Sequence, residues 1–192
     1  MKKTELRKIY LTKQKNLSPA ERIEKSSAIA ERFFRFFDLS EIKYLHCFVP
    51  IEKFNEIETS FVFRKIWHQY PNIETLVPRV NVQSGEIENL KFSAETELAL
   101  NNWQISEPTH DETIETEKID LVLVPLLCCD RKGWRAGYGK GFYDKFLSRC
   151  RLDCKKIGLS YFEPIENIAD TNEFDVKLDC CITPEIIYEF DV

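Results

Sequence analysis

The residues best suited to chemistry lie between Asp130 and Lys145, which read D-R-K-G-W-R-A-G-Y-G-K-G-F-Y-D-K. Gly137, Gly139 and Gly141 stand at alternate positions, with Gly133 just upstream and Arg131, Lys132, Arg135, Lys140 and Lys145 interleaved. Glycines let backbone N–H groups approach an anion without a Cβ in the way, and a helix start adds partial positive charge. The spacing is neither G-x-G-x-x-G nor G-x-x-x-x-G-K-[ST], because Gly141 follows Lys140. A loop of merely solvated lysines is the plainer alternative; so many glycines and cations together favour phosphate binding. Asp130, Asp144 and Asp179 add carboxylates. Such a set suits a nucleoside triphosphate with Mg²⁺, which takes phosphate oxygens plus one or two carboxylates. Phosphoryl transfer itself needs positioning and charge neutralisation more than covalent help.

The flanking segments are those that would hold such a loop. Before it, Leu121-Val122-Leu123-Val124-Pro125 reads as a buried strand; after it, Phe142, Tyr143, Phe146 and Leu147 recur at helical spacing. Upstream, Lys3 to Lys15 is a short amphipathic helix with Leu6, Ile9 and Tyr10, and Lys3 and Arg7 share one face, which a solvated basic surface would explain. Ser18-Pro19-Ala20-Glu21 is a helix-start signature for a second helix running to about Phe37. Tyr44 to Pro50 reads as a strand, and Glu52 to Thr59 as a loop feeding a helix over Ser60–Tyr70. In a βα unit this loop would contribute to a ligand site, so Glu58 is either functional or a first-turn carboxylate. Thr75–Val80, a turn at Val82–Ile87 and Leu90-Lys91-Phe92 suggest an edge hairpin, and Trp103 to Glu117 reads as loop. Lys155–Tyr161 and Val176–Thr183 read as the last core strands. Asp179, a carboxylate inside an apolar run, is either an edge residue or the partner of a cation.

Composition narrows the classes. A chain of 192 residues suits one domain, and 27 basic against 32 acidic residues give a net charge of −5. A basic loop on an acidic protein fits a small anionic ligand better than nucleic acid. No segment is apolar enough to span a membrane. Seven cysteines, odd in number and with no C-x-x-C, argue for reduced thiols and a cytoplasmic setting. Cys128 and Cys129 beside the loop are better read as small core residues than as reactive thiols. His46, His68 and His110 are scattered, and no nucleophile elbow is present.

The loop resembles the signature of the 5-formyltetrahydrofolate cyclo-ligase family, also called methenyltetrahydrofolate synthetases. Lys3-Thr4-Glu5-Leu6-Arg7 looks like the family's K-x-x-L-R, and Asn55-Glu56-Ile57-Glu58-Thr59 is similar to its E-[IV]-[ED]-T segment. Val77-Pro78-Arg79-Val80, Ile105-Ser106-Glu107-Pro108 and Leu178-Asp179 follow in matching order. The resemblance implies one domain over residues 1–192, an α/β fold of three α/β/α layers around a mostly parallel, mixed sheet. It also implies ATP- and Mg²⁺-dependent cyclisation of 5-formyltetrahydrofolate to 5,10-methenyltetrahydrofolate, with release of ADP and phosphate. A monomer acting on a folate that can carry a polyglutamate tail is expected. The alternatives are a non-catalytic folate or nucleotide binder, and a phosphate-binding isomerase or transferase that needs no ATP.

Carried over by position, the resemblance places ATP on Lys3, Thr4, Glu5, Leu6 and Arg7. It adds Arg135, Ala136, Gly137, Tyr138, Gly139, Lys140, Gly141, Phe142 and Tyr143. Arg7, Arg135 and Lys140 would act in catalysis, and Asp144 and Asp179 would hold Mg²⁺. Folate would meet Lys53, Phe54 and Glu58 together with Tyr138, Gly139, Lys140, Gly141 and Phe142. The chain departs from the family's pattern in three places: Phe174, in Asn172-Glu173-Phe174-Asp175, stands where a His often precedes the late Asp, Cys128-Cys129 replaces a glycine and an aromatic, and Ala136 replaces a common Leu.

Overall fold

The computed structural model describes residues 1–81, 83–101 and 106–191; Val82, Trp103 and Ile105, named above, lie outside the described residues. In chain order come α1 (Lys3–Lys15), α2 (Pro19–Phe36), β1 (Tyr44–Cys47), α3 (Ser60–Gln69), β2 (Glu74–Asn81) and β3 (Glu86–Lys91). The short strands β4 (Leu98–Leu100), β5 (Ser106–Pro108) and β6 (Thr113–Ile114) precede β7 (Leu121–Pro125). The glycine-rich segment contains β8 (Cys128–Cys129) and β9 (Arg135–Ala136) and leads into α4 (Phe142–Leu147). The chain closes with β10 (Lys155–Leu159), β11 (Cys180–Ile182) and β12 (Ile187–Glu189).

Eight strands form one sheet in the order β12-β11-β10-β7-β1-β2-β3-β6. The inner five, from β11 to β2, are parallel, and β12, β3 and β6 add antiparallel edges. The fold is thus an α/β sandwich on a mostly parallel, mixed sheet. Alternation along β7 shows why. Leu121 and Leu123 join Ile29, Phe33, Phe63 and Ile66 of α2 and α3 in one buried cluster. Val122 and Val124 join Phe146 and Leu147 of α4 in the other. Successive side chains of a strand point to opposite faces, so a continuous apolar run is what a strand covered on both sides requires. Each fully buried side chain of this size contributes about 1.5–3 kcal/mol.

α2 starts as its sequence dictates: the Ser18 hydroxyl accepts from the Glu21 N–H at 3.2 Å, and the Glu21 carboxylate accepts from the Ser18 N–H at 2.8 Å. The hairpin expected after β2 is present as β2 paired antiparallel with β3. Within the stretch read as loop, β5, β6 and a 3₁₀ turn at Thr116–Lys118 are found. The last core strand is shorter than Val176–Thr183. Only Cys180–Ile182 joins the sheet, because the chain before it turns aside to the glycine-rich segment, where the Leu178 N–H donates to the Gly133 carbonyl at 2.9 Å.

β1 has β7 on one side and β2 on the other, and its crossover helix α3 covers the opposite face from α4, the helix after β7. The carboxyl ends of β1 and β7 therefore open a crevice at a topological switch point, the usual ligand position in such sheets.

Candidate active site

The chain leaving β7 is pinned before it reaches the alternating glycines. Asp130 is fully buried; its Oδ1 accepts from the Lys132 and Trp134 N–H groups at 2.9 and 3.1 Å, and its Oδ2 from the Ile168 N–H at 2.9 Å. This carboxylate builds the turn and is not available to a ligand. Gly133 has φ +84°, and a Cβ there would lie 2.8 Å from the Leu178 carbonyl, so only glycine fits. β9 then pairs back on β8, with Ala136 fully buried against Leu6 and Leu127. Ala136 can offer a ligand only its backbone.

α1 lies along the loop. Leu6 is buried in that same cluster, whereas Thr4 and Glu5 are exposed. The Arg7 Nε donates to the Gly137 carbonyl at 2.9 Å, and the guanidinium packs over Gly139, where a Cβ would lie 3.1 Å from Arg7 Cζ. Gly139, Lys140 and Gly141 are exposed, and nothing stands within 4 Å of the Cβ positions of Gly137 and Gly141. Lys140 forms no ion pair among the described residues. The loop therefore has open backbone and an exposed cation, Lys140, with the Arg7 guanidinium of α1 packed against it.

Three expected positions turn out differently. Lys3 is buried and ion-paired with Asp175, and its backbone N–H donates to Asp170 Oδ1 at 2.7 Å. Arg135 is buried too: its Nη2 donates to Asp144 Oδ1 at 2.8 Å and its Nη1 to the Val176 carbonyl. Desolvation lowers the Arg135 pKa, opposed by Asp144 and Asp175. Both cations thus neutralise carboxylates. Asp179 lies at the amino end of β11, where its Oδ2 accepts from the Lys156 N–H at 2.6 Å. The carboxylate that accompanies Asp144 is Asp175: the Val176 N–H donates to Asp144 Oδ1 at 3.1 Å, and Arg135 feels both charges. Among the described residues no hydrogen bond or ion pair joins Asp179 to Asp144, and no group of three or more His, Cys, Asp or Glu side chains could hold a metal. Asp144 and Asp175 both lie near Arg135, and two carboxylates are the number a magnesium ion would need if phosphate and water supplied its other ligands.

Across the crevice the same kind of shift occurs between two glutamates. Glu58 caps α3, accepting from the Ser60 N–H at 3.2 Å, and meets Arg22 Nη2 at 3.3 Å. Glu56 is the buried one. With Gln14, Phe48, Ile57, Pro125, Leu126 and Tyr138 it lines a void of about 10 Å³, room for roughly one water. Burial pushes the Glu56 carboxyl up to about 7, against the opposite pull of the Tyr138 hydroxyl and the Ile51 N–H. Gln14 Nε2 donates to the Phe54 carbonyl at 2.8 Å and to the Tyr138 hydroxyl at 3.1 Å. The Phe54 ring stacks on Tyr138 with centroids 5.0 Å apart, and Lys53 Nζ lies 5.2 Å from the Phe54 centroid. Phe142 is half-buried against the α4 core cluster, and the Tyr143 hydroxyl turns inward to His46 at 3.2 Å. Burial pushes the Cys128 thiol up to about 12, and the hydrogen bond with the Cys181 thiol, then burial, raises Cys129, so neither is a thiolate.

An α/β sheet with an open, glycine-rich loop at its switch point, two carboxylates beside Arg135 and a buried acid near Tyr138 has the form of an α/β enzyme. The model of the 5-formyltetrahydrofolate cyclo-ligase family matches residues 1–184. The chain is 30% identical over 190 residues to the 5-formyltetrahydrofolate cyclo-ligase of Mycoplasma pneumoniae, covering 96% of this chain and 100% of that one. It is 27% identical over 184 residues to the Mus musculus enzyme of the same name, covering 90% and 86%. The solved structure of Aquifex aeolicus 5,10-methenyltetrahydrofolate synthetase superposes with a TM-score of 0.84 at 27% identity, covering 100% of this chain and 94% of that one. The chain belongs to the 5-formyltetrahydrofolate cyclo-ligase family and is a ligase.

Proposed function

We propose that the protein uses MgATP to cyclise 5-formyltetrahydrofolate to 5,10-methenyltetrahydrofolate. The observation that carries this reading is the adjacency of two subsites joined at Tyr138: the open Gly137–Gly141 backbone with Arg7 and Lys140, and the buried Glu56 against the Tyr138 side chain.

The triphosphate lies on the loop, whose N–H groups and Lys140 neutralise charge that shifts during transfer. Arg7, held by Gly137 and Gly139, sits between the loop and the folate pocket and steadies the γ-phosphoryl group. Asp144 and Asp175 would hold a magnesium ion, which would neutralise phosphate oxygens; Arg135 and Lys3 orient these carboxylates. Glu56, ionised, accepts the N–H donors of the pterin edge. The void at Glu56 is far smaller than a pterin, so folate enters as the Phe54–Tyr138 stack parts.

The formyl oxygen attacks the γ-phosphorus and the bond to ADP breaks, leaving the phosphoryl group on the formyl oxygen as an imidate-type phosphate whose carbon is bonded to N5. N10 attacks the formyl carbon and loses its proton, and phosphate departs with the former formyl oxygen as the ring closes. An amide oxygen is a poor leaving group until phosphorylated, which is why ATP is needed. Appearance of methenyltetrahydrofolate absorbance, stoichiometric with ADP, tests the reading; folate or ATP binding without turnover would overturn it.

A further inference from the structure

Beneath α4 lies a polar chain that the proposed chemistry does not use. His46, fully buried on β1, has its Nδ1 2.8 Å from Asn89 Oδ1 on β3 and its Nε2 3.2 Å from the Tyr143 hydroxyl on α4. Asn89 Nδ2 donates to the Ile114 carbonyl at 3.3 Å and to the Thr116 hydroxyl at 3.2 Å. A carbonyl only accepts, so the Asn89 amide orientation is fixed and its Oδ1 faces the imidazole. His46 therefore carries its proton on Nδ1. Burial keeps the ring neutral, with its pKa lowered to about 3, so Nε2 is an acceptor and the Tyr143 O–H donates to it. The His46 ring also packs on Phe146 with centroids 4.7 Å apart.

α4 needs such a tether. It has six residues, begins at Gly141 in the left-handed region with no side-chain cap, and is too short to persist alone. Tyr143 lies between Gly141 and Asp144, so what fixes its hydroxyl fixes both the end of the glycine loop and the first turn carrying Asp144.

We propose that His46, oriented by Asn89, is a positioning residue for the nucleotide subsite, acting through the Tyr143 hydroxyl to hold the glycine loop and Asp144 in register. The inference rests on the nucleotide reading above. It concerns the MgATP side of the crevice; on the folate side Gln14, the Phe48–Ile57 segment, Pro125 and Leu126 surround Tyr138, which is held separately by the Gln14 hydrogen bond and the Phe54 stack.

The test measures MgATP binding by calorimetry, and KM for each substrate, in the unaltered protein, Tyr143→Phe, His46→Leu and the double variant. Tyr143→Phe keeps the ring and removes one buried hydrogen bond. It should raise the Kd and KM for MgATP about tenfold while KM for the folate stays within about twofold. The double variant should be no worse for MgATP than the worse single variant, because both remove the same bond. Unchanged MgATP affinity in folded Tyr143→Phe, or an equal loss for both substrates, would overturn the inference. If His46→Leu does not fold, ¹⁵N spectra of unaltered protein still decide: Nδ1 should be protonated and Nε2 should shift in Tyr143→Phe, and the opposite tautomer would overturn it. An unaltered protein that fails to bind MgATP would overturn the nucleotide reading, and this inference with it.

Discussion

Lys3 and Asp175, 172 residues apart in sequence, form a nearly buried ion pair that ties the first turn of α1 to the segment entering the last core strand. Asp175 is thereby held beside Arg135, whose other partner is Asp144. If these two carboxylates serve MgATP, Asp175→Asn raises KM for MgATP at least tenfold, whereas Asp179→Asn leaves it within about twofold. Steady-state kinetics on both variants check the assignment.

Removing one member of a nearly buried pair leaves the other charge uncompensated. Lys3→Met should cost about 3 kcal/mol of stability, read from the midpoint of denaturant unfolding. Asp175→Asn should cost less, because the Lys3 ammonium can still meet an amide oxygen.

The two glutamates of the Asn55–Thr59 segment should separate as cleanly. Glu56→Gln is expected to raise KM for the folate at least tenfold. Glu58→Gln should spare it and cost about 0.5–1 kcal/mol, the scale of a partly exposed pair with Arg22 and a helix-start contact.

Glu56 also predicts a pH dependence of defined sign. Its folded pKa, about 7, lies above its ordinary value of 4.5. Between these values the folded state keeps a proton that the unfolded chain has lost, so this group's contribution to stability falls from pH 4.5 to 7 and then levels off. Folate recognition by the anion runs the other way: KM should fall as pH rises toward 7 and flatten above it. Glu56→Gln should abolish both trends.

Gly133 and Gly137 offer a contrast in the loop. Gly133→Ala meets the Leu178 carbonyl at 2.8 Å from a positive φ and should destabilise by about 2–3 kcal/mol. Gly137→Ala has open space and should leave the unfolding midpoint nearly unchanged. A loss of MgATP affinity in that variant would report close approach of the ligand to the backbone.

Strong periodicity made most of the fold legible. β7 matches Leu121–Pro125 as read, α1 matches Lys3–Lys15, and the Ser18–Glu21 capping box is formed. Val176–Asp179 misled because apolar alternation reports burial and not strand pairing: the Leu178 side chain is fully buried on Gly158 of β10 and in the α4-side core cluster, while its backbone turns to Gly133. The same slip moved the carboxylate. Phe174 occupies the position just before the late aspartate, which pointed to Asp175, yet the supposed strand drew attention to Asp179. Glu56 and Glu58 both precede α3, and residue type alone cannot tell the buried one from the one that caps. Lys3 and Arg135 were legible as cations near a phosphate loop, but their burial against Asp175 and Asp144 is a tertiary fact. Gln14 carried no signal beyond its polarity at one end of an amphipathic helix, and contact with Phe54 and Tyr138 reveals it.

The most direct measurement follows methenyltetrahydrofolate formation from 5-formyltetrahydrofolate and MgATP in the unaltered protein, Asp144→Asn and Glu56→Gln. The account predicts product with equimolar ADP in the unaltered protein, a MgATP defect confined to Asp144→Asn and a folate defect confined to Glu56→Gln. Product formed without ATP, or variants whose defects fall on the opposite substrates, would contradict it.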